Sequence, residues 1–217
     1  MSIMIALPCY GGNVSEKTTM SLFNLGKLFA RNNIPHGLLT VANSSLITQG
    51  RSKIANFFIN NTEHEYLFFL DSDIGFNAED VLKLLDHKQE IVCGAYPMKT
   101  IPLRYNFTVS QPEQRKNNLV KIDGIGMGFV LIHRSVFVNI AKAFPSLKYT
   151  PPTDDSNFTP TYNEMNNSYH FFMEHKEGNS YLAEDKSFFH RANSIGYGVW
   201  LDPSITLQHI GSHIFTE

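Results

Sequence analysis

The chain has 217 residues, long enough for one sizeable α/β domain and short for two. With 42% hydrophobic and 18% charged residues it has the composition of a globular protein, which excludes disorder as its default state. Its 18 basic and 20 acidic residues leave a net charge of -2, so bulk attraction to nucleic acid or an anionic membrane surface is excluded and any polyanion must be held locally.

Taken in chain order, Ile3-Met4-Ile5-Ala6-Leu7 reads as a first strand, because it lacks a basic flank and is too short for a signal-peptide core or a membrane span. Pro8-Cys9-Tyr10-Gly11-Gly12 is a turn, and residues 14–31 carry Leu22, Leu25, Leu28 and Phe29 at helical spacing, which makes a βα unit. A strand over 37–42, a helix over 47–59 and a buried strand over 66–70 continue the alternation, which implies parallel strands with right-handed crossovers. Asn77 is placed to cap a helix with the acidic first turn Glu79-Asp80, ending near His87. A strand over 90–96 follows.

Beyond Pro97 the pattern changes to short β pieces at 104–109 and 119–122, a Gly-rich turn at 124–128, a strand at 129–132 and a helix at 135–143. Residues 150–180 are polar and rich in Pro and Asn, too long for an ordinary connection, and read as a lid or a partly disordered loop. A helix over 184–195, a strand over 198–201 and a tail over 208–215 complete the chain. Cys9 and Cys93 both fall in strands and read as reduced, buried residues, which points to a reducing compartment. The Asn-x-Ser/Thr triplets at Asn106-Phe107-Thr108 and Asn157-Phe158-Thr159 are expected by chance in an Asn-rich chain.

The most informative stretch is Glu65-Tyr66-Leu67-Phe68-Phe69-Leu70-Asp71-Ser72-Asp73, an apolar run that stops at two carboxylates two positions apart. Side chains two apart on extended backbone point the same way, and ligands gather outside the carboxyl ends of strands in open α/β sheets. Two hard oxygen donors there suit Mg²⁺ or Mn²⁺ on a phosphate-bearing substrate. The plain alternative is a turn in which one Asp caps the following segment.

Several features recur in an order that resembles a known group. These are Pro8-Cys9-Tyr10, Arg51, Leu70-Asp71-Ser72-Asp73, the Gly-rich turn before Phe129, Glu184-Asp185-x-x-Phe188-x-x-Arg191, Gly196-Tyr197-Gly198 and His209-x-Gly211. Together they resemble the GT-A fold nucleotide-sugar glycosyltransferases, and within them the family-2-like enzymes, including compact ones of large DNA viruses and bacteria. The resemblance implies one glycosyltransferase domain over 1–217, mainly a parallel sheet flanked by helices with a small antiparallel element. Its nucleotide-binding half would span about 1–98 and its acceptor-binding half about 99–217.

It further implies transfer of a hexosyl or deoxyhexosyl group from a UDP- or GDP-sugar to a hydroxyl of a glycan or glycoprotein, with inversion and with Mn²⁺ or Mg²⁺ as cofactor. On that resemblance Asp73 ligates the metal, Asp71 contacts the ribose or a metal-bound water, and His209 is a third ligand with His213 as substitute. Asp185, with Glu184 beside it, is the general base that takes the acceptor proton; both also suit the N-terminus of the helix they open. Pro8 and Tyr10 flank the base, and Asn43 stands where family members often carry an acidic base-binding residue. Arg51 and Ser72 reach the nucleotide or diphosphate, and Lys99 and Arg104 are further cations. Gly126, Met127 and Gly128 let the donor sugar approach the backbone, or serve only the entry into a buried strand. Tyr162, Tyr169, Phe171 and Phe172 either form a sugar-stacking lip or, as is commoner, pin the long loop to the body. No nucleic acid, no membrane span and a cytoplasmic location, the host cytoplasm for a viral protein, complete the expectation.

Two other enzyme classes and a binding module compete. Haloacid-dehalogenase-type phosphatases also place Asp-x-Asp after an apolar strand, but here the pair follows the third strand, with neither a suitably placed lysine nor a late aspartate pair. Sugar-nucleotide pyrophosphorylases carry a Gly-x-Gly-x-Arg loop that is missing after the first strand. A non-catalytic sugar-binding module has no need of the retained acidic set.

Overall fold

The computed structural model describes residues 1–152 and 160–216. The Asn157-Phe158-Thr159 triplet therefore lies outside the described residues. In chain order the strands are β1 (Ile3–Cys9), β2 (His36–Ala42), β3 (Tyr66–Leu70), β4 (Ile74–Gly75), β5 (Ile91–Cys93), β6 (Phe107–Val109), β7 (Arg115–Lys116), β8 (Leu119–Ile125) and β9 (Phe129–His133). Then come β10 (Lys148–Tyr149), β11 (Ser168–Tyr169), β12 (His175–Glu177), β13 (Ser180–Leu182), β14 (Val199–Leu201), β15 (Gln208–Ile210) and β16 (Ile214–Phe215). The α-helices are α1 (Glu16–Arg31), α2 (Ile47–Asn61), α3 (Ala78–Asp86), α4 (Arg134–Ala143), α5 (Tyr162–Asn166) and α6 (Glu184–Ser194).

One sheet runs through both halves of the chain in the order β2-β1-β3-β9-β5-β14-β8-β6, with β7 also paired to β8. Its strands run mostly in one direction. β1 pairs parallel with β2 and β3, and β14 pairs parallel with β5, whereas β9 and β8 run against their neighbours. The antiparallel β9 is wedged between β3 and β5 because the Gly-rich turn brings the chain back directly beside β3, where Leu70 pairs with Phe129.

Burial on both faces explains why β1, β3 and β9 read as continuous apolar runs rather than alternating ones. All five residues of β3 are buried. On one face Leu25 and Phe29 of α1 and Val81, Leu84 and Leu85 of α3 pack against Ile3, Ile5, Phe68 and Leu70. On the other, Ile54 and Phe58 of α2, Phe137 of α4 and Phe188 and Phe189 of α6 pack against Met4, Ala6, Leu67 and Phe69. β2, at the edge, alternates instead.

Local chemistry sets the ends. Ser15 caps α1, its hydroxyl accepting the Thr18 N–H at 3.1 Å, and its own N–H donates to the Ser72 carbonyl at 2.8 Å, tying the helix start to the acidic turn. Asn77 occupies the N-cap of α3 but makes no side-chain cap bond. The strand expected over 90–96 is regular only to Cys93; just beyond it Gly94 packs so tightly that a Cβ would lie 2.6 Å from Ile205 Cγ2.

The lid expectation for 150–180 is corrected over its described part. Asn56 of α2 holds Tyr169 at both backbone groups, Nδ2 donating to its carbonyl at 3.1 Å and Oδ1 accepting its N–H at 3.0 Å. Arg191 of α6 donates to the carbonyls of Phe171 at 3.2 Å and Met173 at 2.6 Å. Phe171 and Phe172 are fully buried, and Phe172 stacks on Phe188 with centroids 4.8 Å apart. These aromatics pin the segment and form no lip, while Tyr162 stays exposed.

Candidate active site

The strand β3 ends at Leu70, and Asp71-Ser72-Asp73 forms a turn in which the Ile74 N–H donates to the Asp71 carbonyl at 3.2 Å. The extended geometry expected from the spacing does not occur, and the two carboxylates take different partners. Asp71 Oδ1 accepts from Arg51 Nη2 at 3.1 Å, and Asp73 Oδ2 accepts from Lys99 Nζ at 2.6 Å. Both still line one cleft of about 380 Å³ with Ser72, Pro8, Tyr10 and Arg51. Its far wall is Val41, Ser44 and Ser45; Asn43, at φ 56°, turns the chain there without lining the cleft.

Arg51 is the buried hub. Its Nη1 donates to Glu184 Oε1 at 2.5 Å while Nη2 serves Asp71, so one guanidinium spans the end of β3 and the start of α6. Burial alone depresses this guanidinium, but the charges of Asp71 and Glu184 outweigh it and hold the group above its ordinary value. Its Nε is buried with no partner among the described residues.

His209 arrives by strand pairing. β15 lies antiparallel to β4 with His209 opposite Ile74, and the Ile210 N–H donates to the Asp73 carbonyl at 2.8 Å. His209 Nδ1 is 2.8 Å from the Pro97 carbonyl, which only accepts, so Nδ1 carries a hydrogen and Nε2 is the atom turned toward Asp73. Nε2 lies 3.5 Å from Asp73 Oδ2. Burial pushes the Asp73 carboxyl upward, but His209 and Lys99 outweigh it and hold it below its ordinary value. The donor types fit a hard divalent cation at Asp73 and His209, with the ring oriented by a carbonyl as metal-binding histidines commonly are. Asp71 is turned away to Arg51, and among the described residues no group of three or more His, Cys, Asp or Glu side chains is gathered closely enough to hold a metal by itself. His213 packs edge-on against Phe215.

The Gly-rich turn is shaped around Tyr96, which sequence reasoning missed. The Gly128 N–H donates to the Tyr96 hydroxyl at 3.2 Å, and Tyr96 meets the His209 ring edge-on at 5.1 Å between centroids. A Cβ on Gly128 would lie 2.6 Å from Asp71 Oδ2 and 2.9 Å from the Tyr96 ring, and one on Gly126 would collide with the Tyr96 hydroxyl. Met127 is fully buried, so its side chain is core and only its backbone faces the turn. Burial, reinforced by Asp71, drives the Tyr96 phenol far above its ordinary value, so it stays neutral. The signal for Tyr96 was its place just beyond an apolar strand, the same logic that singled out Asp71.

Asp185 sits in the first turn of α6, its Oδ1 accepting the Lys186 N–H at 2.7 Å. It opens onto a second pocket of about 390 Å³, lined also by Asp123, Glu177, His190, Asn106 and Phe107. Beyond Asp185 itself, no sequence motif pointed to these residues. Glu184 is turned inward to Arg51, so the two adjacent acids face different surroundings. Arg104 is exposed on the hairpin that carries Lys99.

No protein-family model matches the chain, and no curated protein matches its sequence. Among solved structures it is similar to A197 from STIV, with a TM-score of 0.57 and 16% identity over 100% of this chain and 94% of that one. Looser likenesses include a glycosyltransferase involved in the glycosylation of the major capsid of PBCV-1, with a TM-score of 0.38 and 13% identity over 73% of this chain and 72% of that one. S. aureus TarS gives a TM-score of 0.44 and 13% identity over 94% of this chain and 59% of that one. The chain shares its overall α/β fold with A197. In this sheet the first cleft lies at the carboxyl ends of β1 and β3, where open α/β sheets take their ligands. Among the described residues no helix is long and apolar enough to cross a membrane.

Proposed function

We propose that this protein is a metal-dependent glycosyltransferase that moves a hexosyl or deoxyhexosyl group from a UDP- or GDP-sugar to a hydroxyl of a glycan or glycoprotein, with inversion. The observation that carries the reading is the pairing of two clefts across one ionic chain. Asp71 and Asp73 line the first, Asp185 lines the second, and Arg51 with Glu184 joins them.

In this reading the first cleft takes the nucleotide, with Pro8 and Tyr10 against the base and Ser44 and Ser45 on the opposite wall. Arg51 keeps Asp71 in place. Asp73 and His209 would hold a Mn²⁺ or Mg²⁺ ion, whose charge would stabilise the departing diphosphate. The acceptor hydroxyl in the second pocket attacks the anomeric carbon as its bond to the diphosphate breaks, and Asp185 takes the hydroxyl proton. Asp185 Oδ1 is engaged by the Lys186 N–H, which leaves Oδ2 for that proton.

A thermal-shift panel of UDP- and GDP-sugars with Mn²⁺ tests this directly, since a ligand that binds only the folded state raises its stability with occupancy. One sugar nucleotide should raise the melting temperature in the presence of Mn²⁺, and Asp73→Ala should abolish the shift. Metal-independent hydrolysis of simple phosphate esters without any such shift would replace this reading with the phosphatase.

A further inference from the structure

Lys99 and His209 converge on one oxygen atom. Lys99 Nζ is 2.6 Å and His209 Nε2 is 3.5 Å from Asp73 Oδ2. The lysine is guided there. Its hairpin is closed by the Pro97–Tyr105 bridge and by the Met98 N–H donating to the Arg104 carbonyl at 2.7 Å. Its stem crosses Gly211, where a Cβ would lie 3.2 Å from Lys99 Cδ. The same hairpin supplies the Pro97 carbonyl that accepts from His209 Nδ1. One short segment thus orients the imidazole and delivers a cation to its neighbouring carboxylate.

We propose that Lys99 is an internal counterion of the metal position: its ammonium neutralises Asp73 when no divalent cation is bound, and a divalent cation must displace it to bind. The inference rests on Asp73 and His209 being metal ligands. A hard cation sits about 2.1 Å from a carboxylate oxygen, and an ammonium on that same oxygen is a like charge at close range, so the two exclude one another. Lys99 is half exposed, with 39% of its side-chain surface accessible, so it leaves Asp73 without disturbing the core. Metal affinity is therefore set by competition as well as by the ligands. The released ammonium remains on a hairpin beside the first cleft, placed to meet an anionic donor.

The test is a titration of the intact protein with Mn²⁺ alone, read by the electron paramagnetic resonance signal of the free ion. Lys99→Gln should bind Mn²⁺ about two- to fivefold more tightly than wild type, the scale of a partly exposed ion pair. Lys99→Arg, which keeps the charge, should stay near wild type, and Asp73→Asn should bind none. Equal or weaker binding by Lys99→Gln, or tightening by Lys99→Arg to the same degree, overturns the counterion role while leaving the metal site standing. Absence of Mn²⁺ binding in both wild type and Lys99→Gln overturns the metal site and the counterion role together.

Discussion

Arg51 Nη1 and Glu184 Oε1 lie 2.5 Å apart although 133 positions separate them in the chain. The contact locks the N-terminus of α6 to α2, and through Asp71 it reaches the end of β3. A planar fork satisfies two carboxylates at once, which a lysine ammonium on a flexible stem does not. Arg51→Lys should therefore cost about 2 kcal/mol of unfolding free energy, the worth of a charged hydrogen bond lost in a buried setting. It should also lower transfer at least about tenfold. Urea unfolding alongside a transfer assay checks both; full activity in a destabilised variant would confine Arg51 to scaffolding.

Asp185 and Glu184 separate in space, Glu184 turning to Arg51 and Asp185 to the second pocket. Asp185→Asn keeps the bond from the Lys186 N–H to Oδ1 and removes the carboxylate proposed to accept the proton. Donor binding should be unchanged while transfer falls by about 10²- to 10⁴-fold, the usual worth of general base catalysis. Unchanged transfer removes Asp185 from that role.

Phe172 measures how firmly the described part of 150–180 is held. It stacks on Phe188 and meets Phe69 edge-on at 5.4 Å. Phe172→Ala should cost about 3–5 kcal/mol in chemical denaturation, as for a buried core aromatic. A loss below about 1 kcal/mol would restore the lid reading on the scale of surface substitutions.

The residues explain which parts were legible. Buried strands such as β3 and amphipathic helices such as α1 carry their own periodicity, so they were readable with only small shifts at the ends. The 160–182 region was not, because Asn56, Ser52 and Arg191 hold it through backbone groups that leave no pattern in its own sequence. Asp71 and Asp73 were legible as the end of a strand, but their divergence depends on a turn and on Arg51 and Lys99, which are distant in sequence. Tyr96 was hidden because its surroundings, the Gly-rich turn and His209, are assembled only by the antiparallel return of β9 and the pairing of β15 with β4.

Gly128 carries a steric prediction. Its φ is not in the left-handed region, so Gly128→Ala acts through the added methyl group alone, against Asp71 Oδ2 and the Tyr96 ring. Both neighbours are held by other contacts, so overpacking should cost about 1–3 kcal/mol. The displaced Asp71 should also weaken the sugar-nucleotide thermal shift. A variant as stable and as responsive as wild type would show that Tyr96 yields freely.

Asp202 gives a pH-dependent test away from both clefts. Burial raises its carboxyl, but the His87 bond at 2.8 Å and the Ser204 hydroxyl and N–H outweigh it, holding the group below its ordinary value of 3.8. A depressed folded-state value means that the unfolded chain binds the proton more readily, so the ionised carboxylate stabilises the fold above the unfolded value and that contribution is lost as pH falls through the folded one. Asp202→Asn retains an oxygen for Ser204, removes the charge and turns an amide nitrogen toward His87. The variant should be less stable than wild type at pH 6, and the gap should close as the pH falls below 3.8. Urea unfolding of both proteins across this range checks the sign; a gap that persists unchanged at the acidic end would show that packing, and not charge, holds Asp202 in place.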